Sequence, residues 1–183
     1  MPQLYASWKG MKPFLVHEEH AKDIWYSNDK DFSREIPHMS KTDLYLMRFA
    51  GWLKIPTPGV WSFKTNSDDG SMLYIDGKVV VDNDGLHGMR VKRGKADLSK
   101  GWHKLVITFY ENAGFAGLQV SVGAPVTRGN SVQWKKLTAA MTKTPTAYGE
   151  RDSRAESACS LSCFAPLLNQ KRQLHMHVHV CMR

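Results

Sequence analysis

This 183-residue chain predicts an all-β fold, a sandwich of two antiparallel sheets with a disordered C-terminal tail. Three observations lead there. Short apolar runs recur from residue 48 to about residue 137, separated by breakers rich in Gly, Pro, Asp and Asn. Helical periodicity is almost absent over that stretch. After about Thr142, Thr, Ser, Ala, Arg and Glu dominate and periodicity vanishes. The chain therefore divides into a domain over residues 1–141 and a low-complexity tail over residues 142–183.

Composition narrows the function classes. Hydrophobic residues make up 42%, enough for a core, and no run reaches the roughly 18 apolar residues of a membrane span. The net charge of +8 is not spread evenly. Residues 1–127 hold 16 Lys+Arg against 14 Asp+Glu, whereas residues 128–183 hold 9 against 3. A nearly neutral domain lacks the footprint of nucleic-acid binding. Cys159, Cys163 and Cys181 all lie in the tail, so the domain has no disulfide. The first ten residues lack the apolar core of a signal peptide.

In chain order, residues 4–8 read as an edge strand and residues 16–25 as one or two helical turns. A helix would put His17 and His20 on one face, but the zinc-protease pattern needs His-Glu-x-x-His, and a solvated face explains both. Residues 31–40, with Pro37, read as loop. Residues 49–55 read as a strand stopped by Pro56-Thr57-Pro58-Gly59. Residues 59–64 read as an incoming strand, Asp76-Gly77 as a hairpin turn and residues 78–81 as the returning strand. Asp82-Asn83-Asp84-Gly85-Leu86-His87-Gly88 reads as a loop. As an EF-hand it fails, because Val80 and Val91 would occupy the first and twelfth ligand positions. Residues 103–111 form the longest strand, with Leu105, Ile107 and Phe109 on one face and Val106, Thr108 and Tyr110 on the other. Apolar groups on both faces place it between two sheets. Residues 118–122 alternate with Leu118, Val120 and Val122 inward, and residues 132–137 read as a closing strand. The tail's run from His175 to His179 would set three imidazoles on one strand face, a Zn²⁺ or Ni²⁺ pattern, but it reads as low-complexity sequence.

The chemistry centres on Ser67-Asp68-Asp69-Gly70. Neighbouring residues of an extended strand point to opposite faces. Asp68 and Asp69 converge on one ion only if the backbone between them turns tightly or takes a cis peptide. A hard cation such as Ca²⁺ would suit them, since it takes oxygen ligands. The other reading is a polar turn, in which Asp bonds its own backbone and Gly accepts φ > 0.

The ordered set Phe49-Ala50-Gly51-Trp52-Leu53-Lys54-Ile55-Pro56, Gly59-Val60-Trp61-Ser62-Phe63, Ser67-Asp68-Asp69-Gly70-Ser71, Leu73-Tyr74-Ile75-Asp76-Gly77, Gly85-Leu86-His87-Gly88, Leu98-x-x-Gly101-x-His103 and Tyr110-Glu111 resembles a PA14 domain over roughly residues 4–140. The resemblance implies a two-sheet β-sandwich of a family of binding modules found in glycosidases, adhesins, toxins and cell-surface proteins. In its lectin branch, two adjacent aspartates joined by a cis peptide hold Ca²⁺, and sugar hydroxyls complete the coordination. Asp68 and Asp69 match that pair, and Asn112 is the nearest match to an asparagine from a later loop. His87, in the Gly-Leu-His-Gly motif, joins Asp68, Asp69 and Asn112 as a ligand-binding candidate. The chain lacks the inserted sugar-contacting subdomain and the disulfides of the yeast adhesins.

The function expected is a non-catalytic module that binds a glycan or glycoprotein through Ca²⁺. The alternative is a protein-interaction or scaffold domain with a structural Asp-Asp-Gly turn. No nucleic acid is expected as partner and no membrane span. The family implies an extracellular or cell-surface location. The chain has neither Gly-x-Ser-x-Gly nor a P-loop, and adjacent carboxylates do not flank a glycosidic bond.

Overall fold

Strand β1 covers Pro13–Glu19, β2 Trp25–Tyr26, β3 Tyr45–Ile55, β4 Gly59–Asp68, β5 Ser71–Ile75 and β6 Lys78–Asn83. They are followed by β7 (Arg90–Leu98), β8 (Gly101–Glu111), β9 (Gly117–Gly123), β10 (Trp134–Lys136), β11 (Thr142–Lys143) and β12 (Met176–Met182). Among the described residues one α-helix, α1, covers Asp29–Glu35, and a 3-10 turn covers Ala139–Met141. The structure is a computed structural model that describes residues 13–19, 23–36, 39, 42–127, 130–143 and 176–182. The strand expected at residues 4–8, and His20, lie outside the described residues.

Every strand pair is antiparallel. One sheet runs β1-β12-β3-β8-β5-β6, with β11 also on β3. The other runs β10-β9-β4-β7, with β2 also on β9. Side-chain alternation fills the space between the sheets. Leu105, Ile107 and Phe109 of β8 face Trp61 and Phe63 of β4 and Leu118, Val120 and Val122 of β9 within one buried cluster. All eight are buried, among them Leu118, Val120 and Val122, whose alternation predicts an inward face.

The hairpin predicted at Asp76-Gly77 joins β5 to β6. Asp76 and Gly77 both take positive φ, 49° and 77°, as a type I′ turn requires. The strand feeding that hairpin is β5, whereas β4 belongs to the other sheet. Asp69-Gly70 therefore carries the chain from one sheet across to the other.

Three local readings are corrected. Residues 16–25 hold strands β1 and β2 rather than helical turns. The helix lies instead at Asp29–Glu35, overlapping the stretch read as loop. It starts where the Asn28 side-chain oxygen accepts the backbone N–H of Lys30 and Asp31 at 3.0 and 3.3 Å. Its single buried residue, Phe32, stacks on Tyr26 and Phe109 at 4.4 and 5.2 Å, too short a signal to show a 3.6-residue period. Strand β7 had no strand reading because its Lys, Arg and Gly leave it almost without apolar alternation. It is an edge strand, where charged side chains discourage further pairing.

In the tail, the structure differs from uniform disorder at two points. Thr142–Lys143 pairs with Trp52 and Leu53, and Met176–Met182 pairs with β3 on one side and β1 on the other. Residues 144–175 lie outside the described residues.

Candidate functional site

The Asp68–Asp69 peptide is cis. Asp68 ends β4 and is half-buried; Asp69 is buried in the crossover to β5. A polar network fixes the crossover from below. Ser67 and Ser71 share a hydroxyl hydrogen bond of 2.7 Å, and the fully buried Asn83 donates to Ser67 Oγ and to the Arg90 carbonyl, each at 2.9 Å. Arg90 Nε donates back to Asn83 Oδ1 at 2.9 Å. Above the network, Tyr110 N–H donates to the Gly70 carbonyl at 2.8 Å.

Two loops clamp Asp69. The backbone N–H of His87 donates to Oδ1 and that of Asn112 to Oδ2, each at 2.9 Å. Each carboxylate oxygen keeps a lone pair for a further partner. The carboxylate is thus oriented before any ligand arrives.

Glu111, the last residue of β8, completes the cluster. One carboxylate oxygen from each of Asp68, Asp69 and Glu111 lies within 4.8 Å of the other two. Glu111 is 0% exposed, and neither of its carboxylate oxygens has a hydrogen-bond partner. Burial first, and then the charges of Asp69, Asp68, Asp29 and Asp43, push its pKa up to about 8. Asp68 is also raised, by burial and then by Asp69, with His87 and the Met89 N–H acting against the rise. Two more buried oxygens nearby lack partners, Asp29 Oδ1 and the hydroxyl of Tyr45. Tyr45 sits directly opposite Glu111 in the β3–β8 ladder. Burial, then Glu111, Asp29 and Asp43, raises the Tyr45 phenol pKa. One end of the sandwich is therefore strongly acidic.

The structure brings the four candidate residues to this end in different ways. Asp68 and Asp69 present carboxylates. Asn112 contributes its backbone N–H, and its side-chain oxygen accepts the Tyr110 hydroxyl at 2.9 Å, leaving one lone pair free. His87 also contributes a backbone N–H. Its ring nitrogens face the Gly88 and Asn83 carbonyls at 2.9 and 3.0 Å, so the imidazole braces its own loop. Glu111 was missed, although its signal was present. Leu105, Ile107 and Phe109 face inward, so the next odd position puts a carboxylate on the core side.

The loops around the cluster are tied together and carry exposed apolar groups. Leu44 N–H donates to the Asn112 carbonyl at 3.1 Å, and Gly114 N–H to Asp43 Oδ1 at 3.0 Å. Leu44, Leu86, Met89 and Phe115 are all exposed there, Phe115 to 80%.

A second constellation stands at the other end of β8. His103 Nδ1 meets Asp76 Oδ2 at 2.6 Å, and Nε2 lies 2.9 Å from the Ser99 carbonyl and 3.3 Å from its hydroxyl. A carbonyl only accepts, so Nε2 donates its proton there and is not placed to take one from Ser99. The group fastens the Asp76-Gly77 turn to the start of β8.

Comparison with known proteins gives the fold its context. The PA14 domain family model matches residues 22–136. No curated protein matches the chain. An anti-sigma factor domain-containing protein from Clostridium clariflavum superimposes with a TM-score of 0.57 at 16% identity, over 76% of this chain and 44% of its own. The chain thus spans less than half of that protein. The PA14 domain of the MpAFP antifreeze protein gives 0.57 at 17% identity, over 72% of this chain and 78% of that domain. A PA14 sugar-binding domain from an RTX adhesin gives 0.52 at 18% identity, over 67% and 78%. At such identities the neighbours report the fold alone, but the family model covers more than half of the sequence, and the chain belongs to the PA14 domain family.

Proposed function

We propose that this domain is a non-catalytic binding module that holds Ca²⁺ at Asp68 and Asp69 and through it binds the vicinal hydroxyls of a glycan. The observation that carries the reading is the convergence of carboxylate oxygens within 4.8 Å at a loop-built end of the sandwich. The donors are all oxygen, which suits a hard cation. The backbone N–H groups of His87 and Asn112 hold Asp69 in place without using up its lone pairs. Asn112 Oδ1 is a further oxygen at the same loop. Half-buried Asp68 leaves the solvent side open, where hydroxyls replace water on the ion without a deep pocket. Exposed Phe115 offers an apolar surface to the C–H face of a sugar ring. The RTX adhesin neighbour is itself described as sugar-binding. An extracellular or cell-surface setting follows from the same reading.

Calorimetry at millimolar Ca²⁺, in the range of roughly 10⁻⁴–10⁻³ M known for extracellular modules, tests the metal step. A glycan array with and without Ca²⁺ tests the second. The double change Asp68→Asn, Asp69→Asn should keep the fold and abolish both signals. If the parent shows neither heat nor thermal stabilisation, the Ca²⁺ reading fails. A protein-interaction module then takes its place, favoured by the exposed Leu44, Leu86, Met89 and Phe115.

A further inference from the structure

We infer that Glu111 is a direct, third carboxylate ligand of the ion, closing the site from the core side; this rests on the Ca²⁺ reading above. A buried carboxylate ordinarily finds hydrogen-bond donors, and each buried oxygen left without one is destabilising. Asp69 obeys the rule, with one N–H on each oxygen. Glu111 does not, although it is fully buried. Among the described residues no Lys, Arg or His forms an ion pair with it. A proton on Glu111 would let one oxygen donate to a neighbouring carboxylate but would leave the other oxygen without a donor. A cation between Glu111, Asp68 and Asp69 satisfies all three carboxylates at once, and the 4.8 Å spread of their oxygens leaves room for an ion at the centre. Tyr45, opposite Glu111 in the β3–β8 ladder, and Asp29 also carry buried oxygens without partners.

Two consequences separate this arrangement from a site made by the aspartate pair alone. Three carboxylates outweigh the charge of a divalent ion, so a trivalent lanthanide of similar size should bind more tightly than Ca²⁺. The ion would also tie the end of β8 to the β4–β5 crossover, so binding should stabilise the fold. With Glu111 and Asp69 on the buried side, the positions left for water or hydroxyls face outward past Asp68.

The test uses the full chain and three proteins, the parent, Glu111→Gln, and Asp68→Asn with Asp69→Asn. Ca²⁺ affinity comes from calorimetry, and Tb³⁺ luminescence lifetimes in H₂O and D₂O count the waters on the ion. Glu111→Gln should weaken Ca²⁺ by roughly 10–100-fold or more, weaken Tb³⁺ further, and add water to bound Tb³⁺. Its metal-free melting temperature should stay level or rise, because Gln removes a like charge while keeping the shape. A Glu111 that served only packing would leave the Tb³⁺ water count unchanged. If the parent binds Ca²⁺ and Glu111→Gln binds it equally well, Glu111 is not a ligand and the aspartate-pair site stands. If the parent binds no Ca²⁺, both readings fall. Should Glu111→Gln not fold, Glu111→Asp decides, since shortening the side chain keeps the charge but withdraws the ligand. Weakened binding supports the assignment and unchanged binding overturns it.

Discussion

At Gly94 the two sheets approach backbone to backbone. This glycine lies on β7 at the edge of one sheet and meets Val80 of β6, the edge strand of the other. A Cβ on Gly94 would fall inside contact with the Val80 carbonyl oxygen and only 2.6 Å from its carbonyl carbon, where ordinary Cβ contacts begin at 3.4 Å. The carbon alone thus demands a shift of about 0.8 Å, the difference of those two distances, and the oxygen demands more. Both obstacles are backbone atoms, so no rotamer change relieves them. Overpacking of this kind costs about 1–3 kcal/mol, and the rigid obstacle points to the upper end. The shorter list of unfolded conformations open to Ala offsets about 0.4–1 kcal/mol. Gly94→Ala should therefore destabilise by about 2 kcal/mol net, which lowers Tm by roughly 4–8 °C in a chain of this size. Urea titration and thermal melting of the variant measure it. Gly88→Ala is the control, because its Cβ would meet nothing nearer than Asp68 Oδ2 at 4.0 Å, and with only the unfolded-state gain of about 0.4–1 kcal/mol it should melt at or slightly above the parent. A Gly94→Ala protein that melts with the parent would refute the close approach of β6 and β7.

Phe109→Ala should cost about 3–5 kcal/mol in denaturant unfolding, since its ring is 1% exposed and stacked on Phe32. An unchanged midpoint would place that ring outside the packed core. His103 gives a pH signature. Burial works against its charge, but the Asp76 hydrogen bond, the Ser99 carbonyl and the Asp76 charge outweigh it and raise the pKa above the ordinary 6.5. The contact therefore stabilises fully below the unfolded-state pKa and less as pH rises through the folded-state value. The gap in Tm between the parent and His103→Gln should narrow with rising pH across that window, and a gap independent of pH would show that the charge on His103 contributes nothing. The gap should be small, because Asp76 is 48% exposed and water screens the pair.

Local patterns determined much of this protein without any structure. Alternation sorted the two faces of residues 105–109 and named the inward face of residues 118–122, because a strand's side chains change face at every residue whatever it pairs with. Asp76-Gly77 announced its hairpin because positive φ at two successive residues is a property of the turn itself. Asp68-Asp69 stood out as candidate ligands, and the order of motifs carried the family. Pairing between distant segments decided the rest. Nothing local says that β4 and β5, separated only by Asp69 and Gly70, belong to opposite sheets. Strand β7 is held by its ladder to β4 rather than by an apolar face of its own. Helix α1 exists because Phe32 finds Tyr26 and Phe109, two rings from other parts of the chain. Glu111 shows the division most clearly. Its inward direction follows from strand parity, but its meaning depends on Asp68 and Asp69, more than forty positions earlier and on the far side of a sheet crossover. Only folding brings those charges together at one partly buried end, where burial and mutual repulsion raise Glu111 and Asp68 and make three ordinary acids a candidate cation site.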